Sequence, residues 1–282
     1  MSNIIDGKLV AASVKAHAAE EVAKLRSKNI NVCLAVIIVG EDPASRVYVN
    51  NKKKACEELG IISKEFMLSE DAGQEKLLAL IDSLNRDASV NGILCQLPLP
   101  KGYDEKAIIE AINPIKDVDA FHPSNVGRIM IGDYTFLPCT PAGIMEMLAY
   151  YDIDVAGKEC IVVGRSNIVG KPMSMLLLHK NGTVTVAHSK TKNLTDVCNR
   201  ADVLVAAVGK PRFITADMVK EGAIIIDVGI NRVNGKLCGD VDFDKVENKA
   251  SWITPVPGGV GPMTIAMLMQ NTVTAAKLQN NM

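Results

Sequence analysis

The pattern of apolar and polar positions predicts helices and strands that alternate along the chain. The segment 9–28 carries alanines and leucines on one helical stripe and charged residues on the other, which predicts an amphipathic helix. The run 32–39 is almost wholly apolar, as in a strand buried on both faces. The same patterns predict further helices at 43–59, 74–86, 140–151, 168–180 and 263–278, and further strands at 61–68, 92–95, 160–163, 183–187, 202–208, 223–228 and 251–254. This alternation is typical of α/β proteins with a doubly wound parallel sheet.

The segment ECIVVGRSNIVGKP, residues 159–172, predicts a strand, a glycine-bearing turn and a helix. Gly164 permits a sharp turn, Gly170 permits close approach of the helix, and the amides at the helix start would point at a bound phosphate. A P-loop is excluded, because Arg165 stands where its first glycine belongs and Pro172 follows Lys171. A variant dinucleotide-binding loop remains, with Ser166 in place of the second glycine.

The strand 183–187 is followed by His-Ser-Lys-Thr at 188–191, where an NAD site would have an acidic residue for the ribose hydroxyl. Hydroxyls, a lysine and Arg165 suit a 2′-phosphate instead, so NADP is favoured over NAD. A polar surface turn is the alternative interpretation of 188–191.

Composition narrows the class of protein. The chain has 282 residues, enough for one large or two ordinary domains, and a net charge of −1 gives no electrostatic case for nucleic acid or an anionic membrane. No apolar run is long enough to span a bilayer, and the first ten residues do not resemble a signal peptide. Seven cysteines without a C-x-x-C pair fit a reducing cytosol, so we expect a cytoplasmic protein. The four histidines are scattered without metal-ligand spacing, so no metal is predicted.

Tyr48 and Lys52 are four residues apart and share one face of the helix predicted at 43–59. Shielding from water, together with the neighbouring Lys53 and Lys54, would disfavour the ammonium form of Lys52. A proton-exchanging Lys52 would then act as an acid or base, with Tyr48 relaying or orienting. The alternative is a solvated basic helix face.

Three other segments contain candidate ligand-binding groups. Gln96 ends the strand at 92–95 and would present an amide to a ligand, or bond to backbone near the prolines that follow. Asp119, in Lys-Asp-Val-Asp, suits a ligand with two N–H donors such as an aminopyrimidine edge, or acts as a structural cap. The residues after it, through Pro138, are predicted to be irregular and to form a domain hinge. The glycine-dense loop 255–262 would let backbone approach a ligand, or form a tight interdomain turn.

The chain resembles the bifunctional methylenetetrahydrofolate dehydrogenase/methenyltetrahydrofolate cyclohydrolases nearly from end to end. The segments that carry the resemblance are YVNNKKKACEELGI (48–61), GILCQLPLP (92–100), KDVD (116–119) and PVPGGVGPMT (255–264), together with GRSNIVGKP, HSKT and DVGIN. A ten-residue match such as PVPGGVGPMT is far more specific than a single glycine loop.

The resemblance implies roles for individual residues. Lys52 is similar to the family's catalytic lysine, with Tyr48 as its helical partner and Gln96 as the assisting amide. Asp119 matches the carboxylate that holds the pterin ring. The remaining substrate contacts implied are Leu97, Pro257, Gly258, Gly259, Val260 and Gly261, and the implied NADP contacts are Gly164, Arg165, Ser166, Ser189 and Ile230. The expected activities are NADP-dependent oxidation of 5,10-methylenetetrahydrofolate and hydrolysis of the methenyl product to 10-formyltetrahydrofolate.

The resemblance also implies two domains and a homodimer. A catalytic, folate-binding α/β domain is expected at 1–118 and 262–282, and a Rossmann-like NADP-binding domain at 119–261, with the chemistry in the cleft between them. Two residues depart from the family pattern: Ala120 replaces a usual glycine and Cys95 a common valine. Ala120 would add a methyl group beside the pterin-binding carboxylate and shift folate affinity.

Two other functions are compatible with the predicted fold. One is an NADP oxidoreductase acting on a small hydroxy or keto acid, whose turnover folate would not affect. The other is a nucleotide-binding regulator without catalytic activity, which would bind NADP without turning over any folate.

Overall fold

The computed structural model describes residues 2–282, without the side chains of 43–45 and 47. Two compact units are present: one comprises residues 2–12 and 138–264, and the other comprises residues 13–137 and 265–282. We call these the nucleotide unit and the catalytic unit. None of the helices among the described residues combines the length and the apolar character needed to cross a bilayer.

The elements in the first half of the chain are β1 (Asn3–Ile4), α1 (Gly7–Ser27), β2 (Cys33–Val39), α2 (Pro43–Leu59), β3 (Ile62–Leu68), α3 (Gln74–Arg86), β4 (Gly92–Cys95), α4 (Glu105–Ala111) and α5 (Pro123–Ile131). Those in the second half are α6 (Cys139–Tyr150), β5 (Glu159–Val163), α7 (Gly170–His179), β6 (Thr183–Ala187), α8 (Leu194–Cys198), β7 (Val203–Ala206), β8 (Ile224–Asp227), β9 (Asn231–Val233), β10 (Lys236–Cys238), α9 (Phe243–Val246), β11 (Trp252–Ile253) and α10 (Val260–Gln279).

The catalytic unit contains a parallel sheet in the order β3-β2-β4. All seven residues of β2 are buried, which confirms the prediction of a strand covered on both faces. Apolar side chains of β2 and β4 pack against α3 and α4 around Leu77, Ile81 and Ile108, each fully buried. This core holds the carboxyl end of β4, and therefore Gln96, in a fixed position.

The nucleotide unit contains a parallel sheet in the order β1-β11-β8-β7-β5-β6. The chain passes from β5 to β6 on one side and then returns to β7 on the other, so a topological switch point lies between β5 and β7. The parallel α/β fold predicted from the pattern is confirmed. Asn234-Gly235 joins β9 to β10, which pair in antiparallel fashion.

Strand β1 explains why the first residues belong to the nucleotide unit, whereas the resemblance implied that they belong to the catalytic domain. Asn3 and Ile4 pair in parallel with Trp252 and Ile253 at the edge of the larger sheet. Two residues are too few to produce a strand pattern in the sequence. Strand β1 forms because it pairs with β11, almost 250 positions away in the sequence.

The stretch through Pro138, predicted to be irregular, contains helix α5, so that prediction is wrong. His122 Nδ1 accepts from Ser124 N at 3.0 Å at the start, and Pro123 occupies the first turn. Gly132, with φ of 79°, ends the helix in the left-handed conformation. Start and stop signals define this helix, although its composition is that of a loop.

The predicted loop 255–262 is also shorter than expected, because α10 begins at Val260. Pro262 falls in the first turn of this helix, where a missing N–H costs nothing. The closing helix was therefore predicted to begin three residues too late, at Met263.

Two helical glycines provide a matched test of packing. A Cβ at Gly143 in α6 would lie 2.5 Å from Met263 Cβ, whereas a Cβ at the exposed Gly127 in α5 would meet nothing within 4 Å. We expect Gly143→Ala to lower the free energy of unfolding by about 1–3 kcal/mol through overpacking. Gly127→Ala should raise it by about 0.5–1 kcal/mol, because alanine favours the helix. Urea denaturation of both variants measures this, and stabilisation by Gly143→Ala would contradict the close packing of α6 on α10.

Candidate active site

Lys52 and Gln96 form the central contact of the catalytic unit. Lys52 projects from α2, is only 9% exposed, and its Nζ donates to Gln96 Oε1 at 2.9 Å. Gln96 directly follows β4, and its backbone N donates to Ile37 O at 2.9 Å, which extends the pairing of β4 with β2. The sheet thus brings together two residues 44 positions apart in sequence.

The orientation of the Gln96 amide follows from its second contact. Gln96 Nε2 donates to Leu97 O at 2.7 Å. Because a carbonyl oxygen can only accept, the nitrogen of the amide must face Leu97 and the oxygen must face Lys52. Gln96 therefore holds the Lys52 amine by accepting one of its N–H bonds. The backbone bond predicted as the alternative for Gln96 is present, and presentation of its amide to a ligand stays a prediction.

Tyr48 lies one helical turn before Lys52 on α2 and is 40% exposed. Desolvation raises the pKa of its hydroxyl above the usual value. The hydroxyl therefore stays protonated at neutral pH and is able to donate a hydrogen bond. This arrangement places a neutral phenol and a buried lysine on the same helix face.

Two residues of the Lys-Asp-Val-Asp segment are buried and bonded to other parts of the fold. Lys116 is buried and its Nζ donates to Leu84 O at 3.0 Å and Asp87 O at 2.7 Å. Asp117 is buried and its Oδ2 accepts from His122 N and Asn125 Nδ2, both at 2.8 Å. Both residues therefore satisfy their polar atoms within the fold.

Asp119 is half-buried near the carboxyl end of β4. An isolated parallel β-bridge joins Asp117 to Ile93 of β4, so this segment lies alongside β4. Burial raises the pKa of the Cys95 thiol to about 12, and the negative charge of nearby Asp119 contributes. Asp119 is thus partly exposed and close enough to Cys95 for its charge to act on the thiol.

Ala120, the departure from the family pattern, has φ of 58° and is fully buried. Its backbone N donates to Asp117 O at 3.1 Å, so the left-handed turn is part of the loop that carries Asp119. Glycine adopts this conformation freely, whereas alanine there costs about 1–2 kcal/mol. Its predicted effect on folate affinity stays a prediction.

The nucleotide unit has a cavity of about 400 Å³ at its switch point. Its wall comes from the carboxyl ends of three neighbouring strands and the loops that follow: Val163, Gly164, Arg165, His188, Ser189, Thr191, Leu194, Ala207, Val208, Lys210 and Phe213. The described wall includes two permanent cations, Arg165 and Lys210, and no carboxylate. This charge pattern suits an anionic ligand.

Gly164 and Gly170 shape the loop beside this cavity. Gly164 has φ of 147°, and a Cβ there would lie 2.3 Å from Ala207 O. A Cβ at Gly170 would lie 2.3 Å from Gly164 O, so α7 packs directly on the turn. The predicted roles of both glycines in a sharp turn and a close helix approach are confirmed.

The prediction that amides at the start of α7 point at a phosphate is wrong. Ser166 Oγ accepts from Val169 N at 3.2 Å and Gly170 N at 3.3 Å, and Ser166 O accepts from Lys171 N at 3.0 Å. Pro172 has no N–H to offer. Ser166 therefore caps the helix with its side chain and carbonyl, and these three amides are already bonded within the loop.

The residues after β6 form a compact turn. His188 N donates to Thr191 Oγ1 at 2.9 Å, and Thr191 N donates to His188 O at 2.8 Å. The turn therefore satisfies its own backbone, as the surface-turn interpretation requires, and it also places Ser189 and Thr191 in the cavity wall with Arg165. The lysine in the described wall is Lys210, not the predicted Lys190.

The other predicted residues of this unit lie near the start of α10. Gly258, Gly259 and Val260 are buried, Pro257 is exposed, and Gly259 O lies 1.7 Å from where a Cβ on Gly7 would stand. Ile230 is 47% exposed, and its Cδ1 lies 3.5 Å from a Cβ built on Gly261. The glycines therefore pack the loop tightly, and Ile230 lies beside the first turn of α10.

Two family models match this chain. The model of the tetrahydrofolate dehydrogenase/cyclohydrolase catalytic domain matches residues 5–119, and that of the tetrahydrofolate dehydrogenase/cyclohydrolase NAD(P)-binding domain matches residues 138–280. The chain belongs to the tetrahydrofolate dehydrogenase/cyclohydrolase family.

Individual relatives match over the whole length. The bifunctional protein FolD of Agathobacter rectalis is 62% identical over 278 residues, which are 98% of this chain and 100% of that protein. The crystal structure of the bifunctional FolD methylenetetrahydrofolate dehydrogenase/cyclohydrolase of Campylobacter jejuni is 52% identical, with a TM-score of 0.98 over 100% of both chains. The Trypanosoma brucei methylenetetrahydrofolate dehydrogenase-cyclohydrolase, solved with NADP and an inhibitor, is 37% identical, with a TM-score of 0.95 over 100% of this chain and 99% of that one.

Sequence reasoning missed Lys210 and two buried acids in this family member. Lys210 lies in the loop after β7, so its position after a parallel strand was an available signal. Asp227 ends β8 and Asp240 follows β10; they are 3% and 0% exposed. Acids at the ends of strands resemble ordinary turn residues in a sequence, so nothing marked these two as buried.

Asp227 provides a pH test of the nucleotide unit. Burial raises the pKa of its carboxyl from 3.8 to about 6, although the N–H groups of Val241, Asp240 and Gly229 lower it. The native state therefore binds more protons than the unfolded state between about pH 4 and 6. We expect the free energy of unfolding to fall by on the order of 2 kcal/mol as pH rises through this window.

Denaturation of the wild type and Asp227→Asn at several pH values measures this contribution. The difference between the two proteins should change across the window, because the asparagine does not titrate. The raised pKa of buried Asp117 affects both proteins equally and cancels. Parallel pH profiles would contradict the assignment to Asp227.

Proposed function

We propose that this chain catalyses two successive steps of one-carbon folate chemistry: oxidation of 5,10-methylenetetrahydrofolate with NADP⁺, and hydrolysis of the 5,10-methenyl product to 10-formyltetrahydrofolate. The observation that carries this proposal is the buried Lys52–Gln96 contact at 2.9 Å, beside the half-exposed Asp119. Family membership and the named activities of the full-length relatives support both steps.

The nucleotide unit fits NADP. Its loop is closed by glycines at which a Cβ would meet backbone, and Arg165, Lys210, Ser189 and Thr191 offer cations and hydroxyls to a phosphate. The described cavity wall offers no carboxylate for a ribose 2′-hydroxyl. When bound, NADP⁺ accepts the hydride of the oxidation. Arg165 and Ser189 would bind the 2′-phosphate, and Gly164, Ser166 and Ile230 complete the proposed cofactor contacts.

The catalytic unit would bind and process the folate. Asp119 accepts N–H groups of the pterin ring and so fixes the orientation of the substrate. Leu97 and the segment Pro257–Gly261 are proposed as further substrate contacts. We propose that residues 1–118 and 262–282 form mainly the folate-binding domain and residues 119–261 mainly the NADP-binding domain. The exceptions are strand β1, which pairs in the nucleotide unit, and Asp119 and Pro257–Gly261, which are proposed folate contacts.

Lys52 would act mainly in the hydrolysis. Water adds to the methenyl carbon, a carbon–nitrogen bond breaks, and one proton is released. Lys52 takes up the proton of the attacking water at Nζ and returns it to the departing nitrogen. Gln96 holds the amine in position through the contact at 2.9 Å, and the protonated Tyr48 hydroxyl orients the water or substrate.

Lys52→Met tests whether Lys52 acts mainly in the hydrolysis. We expect the cyclohydrolase rate to fall at least about 100-fold, as for loss of a general acid–base, while the dehydrogenase rate falls much less. Formation and decay of methenyltetrahydrofolate are followed by absorbance. Lys54→Met, an exposed lysine on the same helix, is the matched control and should keep both rates. Wild-type protein with neither activity would refute the proposed function.

Arg165→Ala tests the preference for NADP. Loss of a charge-assisted bond to the 2′-phosphate, about 1.5–3 kcal/mol, should raise KM for NADP⁺ about 10- to 150-fold. KM for NAD⁺, which lacks that phosphate, should change little. Arg200→Ala, an exposed arginine paired with Glu159 at 3.7 Å, is the control in the same unit. Equal losses with both cofactors would contradict a 2′-phosphate contact.

We also propose a cytoplasmic homodimer, by analogy with the family, without a nucleic-acid or membrane partner. The net charge of −1 supports the absence of an anionic partner. Sedimentation at several concentrations tests the assembly, and a monomer that does not change with dilution would refute it.

A further inference from the structure

Asp240 is a fully buried acid in the nucleotide unit whose carboxylate accepts four N–H bonds. Its Oδ2 accepts from Val208 N at 2.7 Å and Gly209 N at 2.9 Å. Its Oδ1 accepts from Lys210 N and Asn231 Nδ2, both at 2.9 Å. Each donor is within ordinary hydrogen-bond distance, and an ionised carboxylate has acceptor sites for all four.

Three of these donors are successive backbone amides, an arrangement that forms a concave site for an anion. In this chain the anion is supplied by the protein itself. The carboxylate therefore determines the backbone path of Val208–Lys210, the loop directly after β7. Val208 and Lys210 both line the cavity proposed for NADP.

The fourth bond connects this loop to a second segment. Asn231 begins β9 and directly follows Ile230, a proposed cofactor contact. Asp240 N in turn donates to Asp227 Oδ1 at 2.8 Å, at the end of β8. One carboxylate thus joins the loop after β7 to the segment after β8, both at the carboxyl edge of the sheet.

The surroundings of Asp240 favour an aspartate at this position. A Cβ on Gly229 would lie 2.3 Å from Asp240 Oδ1, so backbone closes directly over the carboxylate. An asparagine at 240 would fit by volume but would turn an NH₂ group toward N–H donors. A charged acceptor is therefore needed at this position, and a neutral amide would leave donors unpaired.

We propose that Asp240 is a positioning residue for the dinucleotide: by binding the amides of Val208–Lys210 and the side chain of Asn231, it holds Lys210 in the cavity wall and Ile230 beside it. This inference rests on the proposed function only for the identity of the cofactor. Lys210 Nζ lies 5.6 Å from the centre of the ring of Phe213, another wall residue, which is within the distance of a cation–π interaction.

The test measures NADP⁺ binding by titration calorimetry for the wild type and Asp240→Asn. We expect Kd to rise at least tenfold, KM for NADP⁺ to rise in parallel, and kcat at saturating NADP⁺ to stay within about threefold. Cyclohydrolase activity, which needs no cofactor, should stay within twofold. Unchanged Kd, or an equal fall of both activities, would overturn the proposal.

A reciprocal exchange separates positioning from general damage. In Asp240→Asn/Asn231→Asp the acceptor and donor change places, so the bond between 240 and 231 is restored with the same total charge. We expect this double variant to recover at least threefold of the lost NADP⁺ affinity. No recovery relative to Asp240→Asn would count against the proposed connection.

A second variant covers the case in which Asp240→Asn does not fold. Asn231→Ala removes one of the four bonds to Asp240, and its Kd for NADP⁺ should rise at least threefold. An unchanged Kd would overturn the proposal.

The binding measurement is independent of folate turnover, because calorimetry uses NADP⁺ without folate. A wild type that binds NADP⁺ but turns over no folate would refute the proposed function, while the variants would still decide the role of Asp240.

Discussion

Parallel strand pairing is the constraint on which the candidate site of each unit depends. Parallel strands end at the same edge, so residues that follow different strands become neighbours. In the catalytic unit this places Gln96, after β4, within 2.9 Å of Lys52, and the bridge between Ile93 and Asp117 brings Asp119 to the same end. In the nucleotide unit it gathers the ends of β5, β6 and β7 around one cavity.

The polar contacts of the two units follow one rule: a buried ionisable group is stable only where the fold supplies its hydrogen bonds. Backbone carbonyls accept from Lys116, backbone and amide N–H groups donate to Asp117, and four N–H groups donate to Asp240. These groups hold loops in place. The residues proposed to bind ligand, Asp119 and Arg165, are instead partly or fully exposed at the same strand ends.

The predicted site residues differ in how well sequence reasoning anticipated their contacts. The spacing of Tyr48 and Lys52 already placed them on one helix face, because helical geometry is local. The bond from Lys52 to Gln96 was implied only by resemblance. The phosphate-binding amides of α7 were expected from a motif, but Ser166 caps them. A motif shows which N–H groups are present, but it does not show which nearby acceptor will bond to them.

Local patterns in the sequence therefore determined the α/β class, most helices and strands, and the residue types available for chemistry, because hydrophobic periodicity and turn signals act within a few residues. Family resemblance assigned roles to Lys52 and Asp119. Only the tertiary structure decided the rest: strand β1 needs a distant partner, α5 depends on its caps, and Asp240 finds its donors in two loops. Such contacts join residues that are far apart in the chain, so the sequence pattern around one residue does not predict its partner.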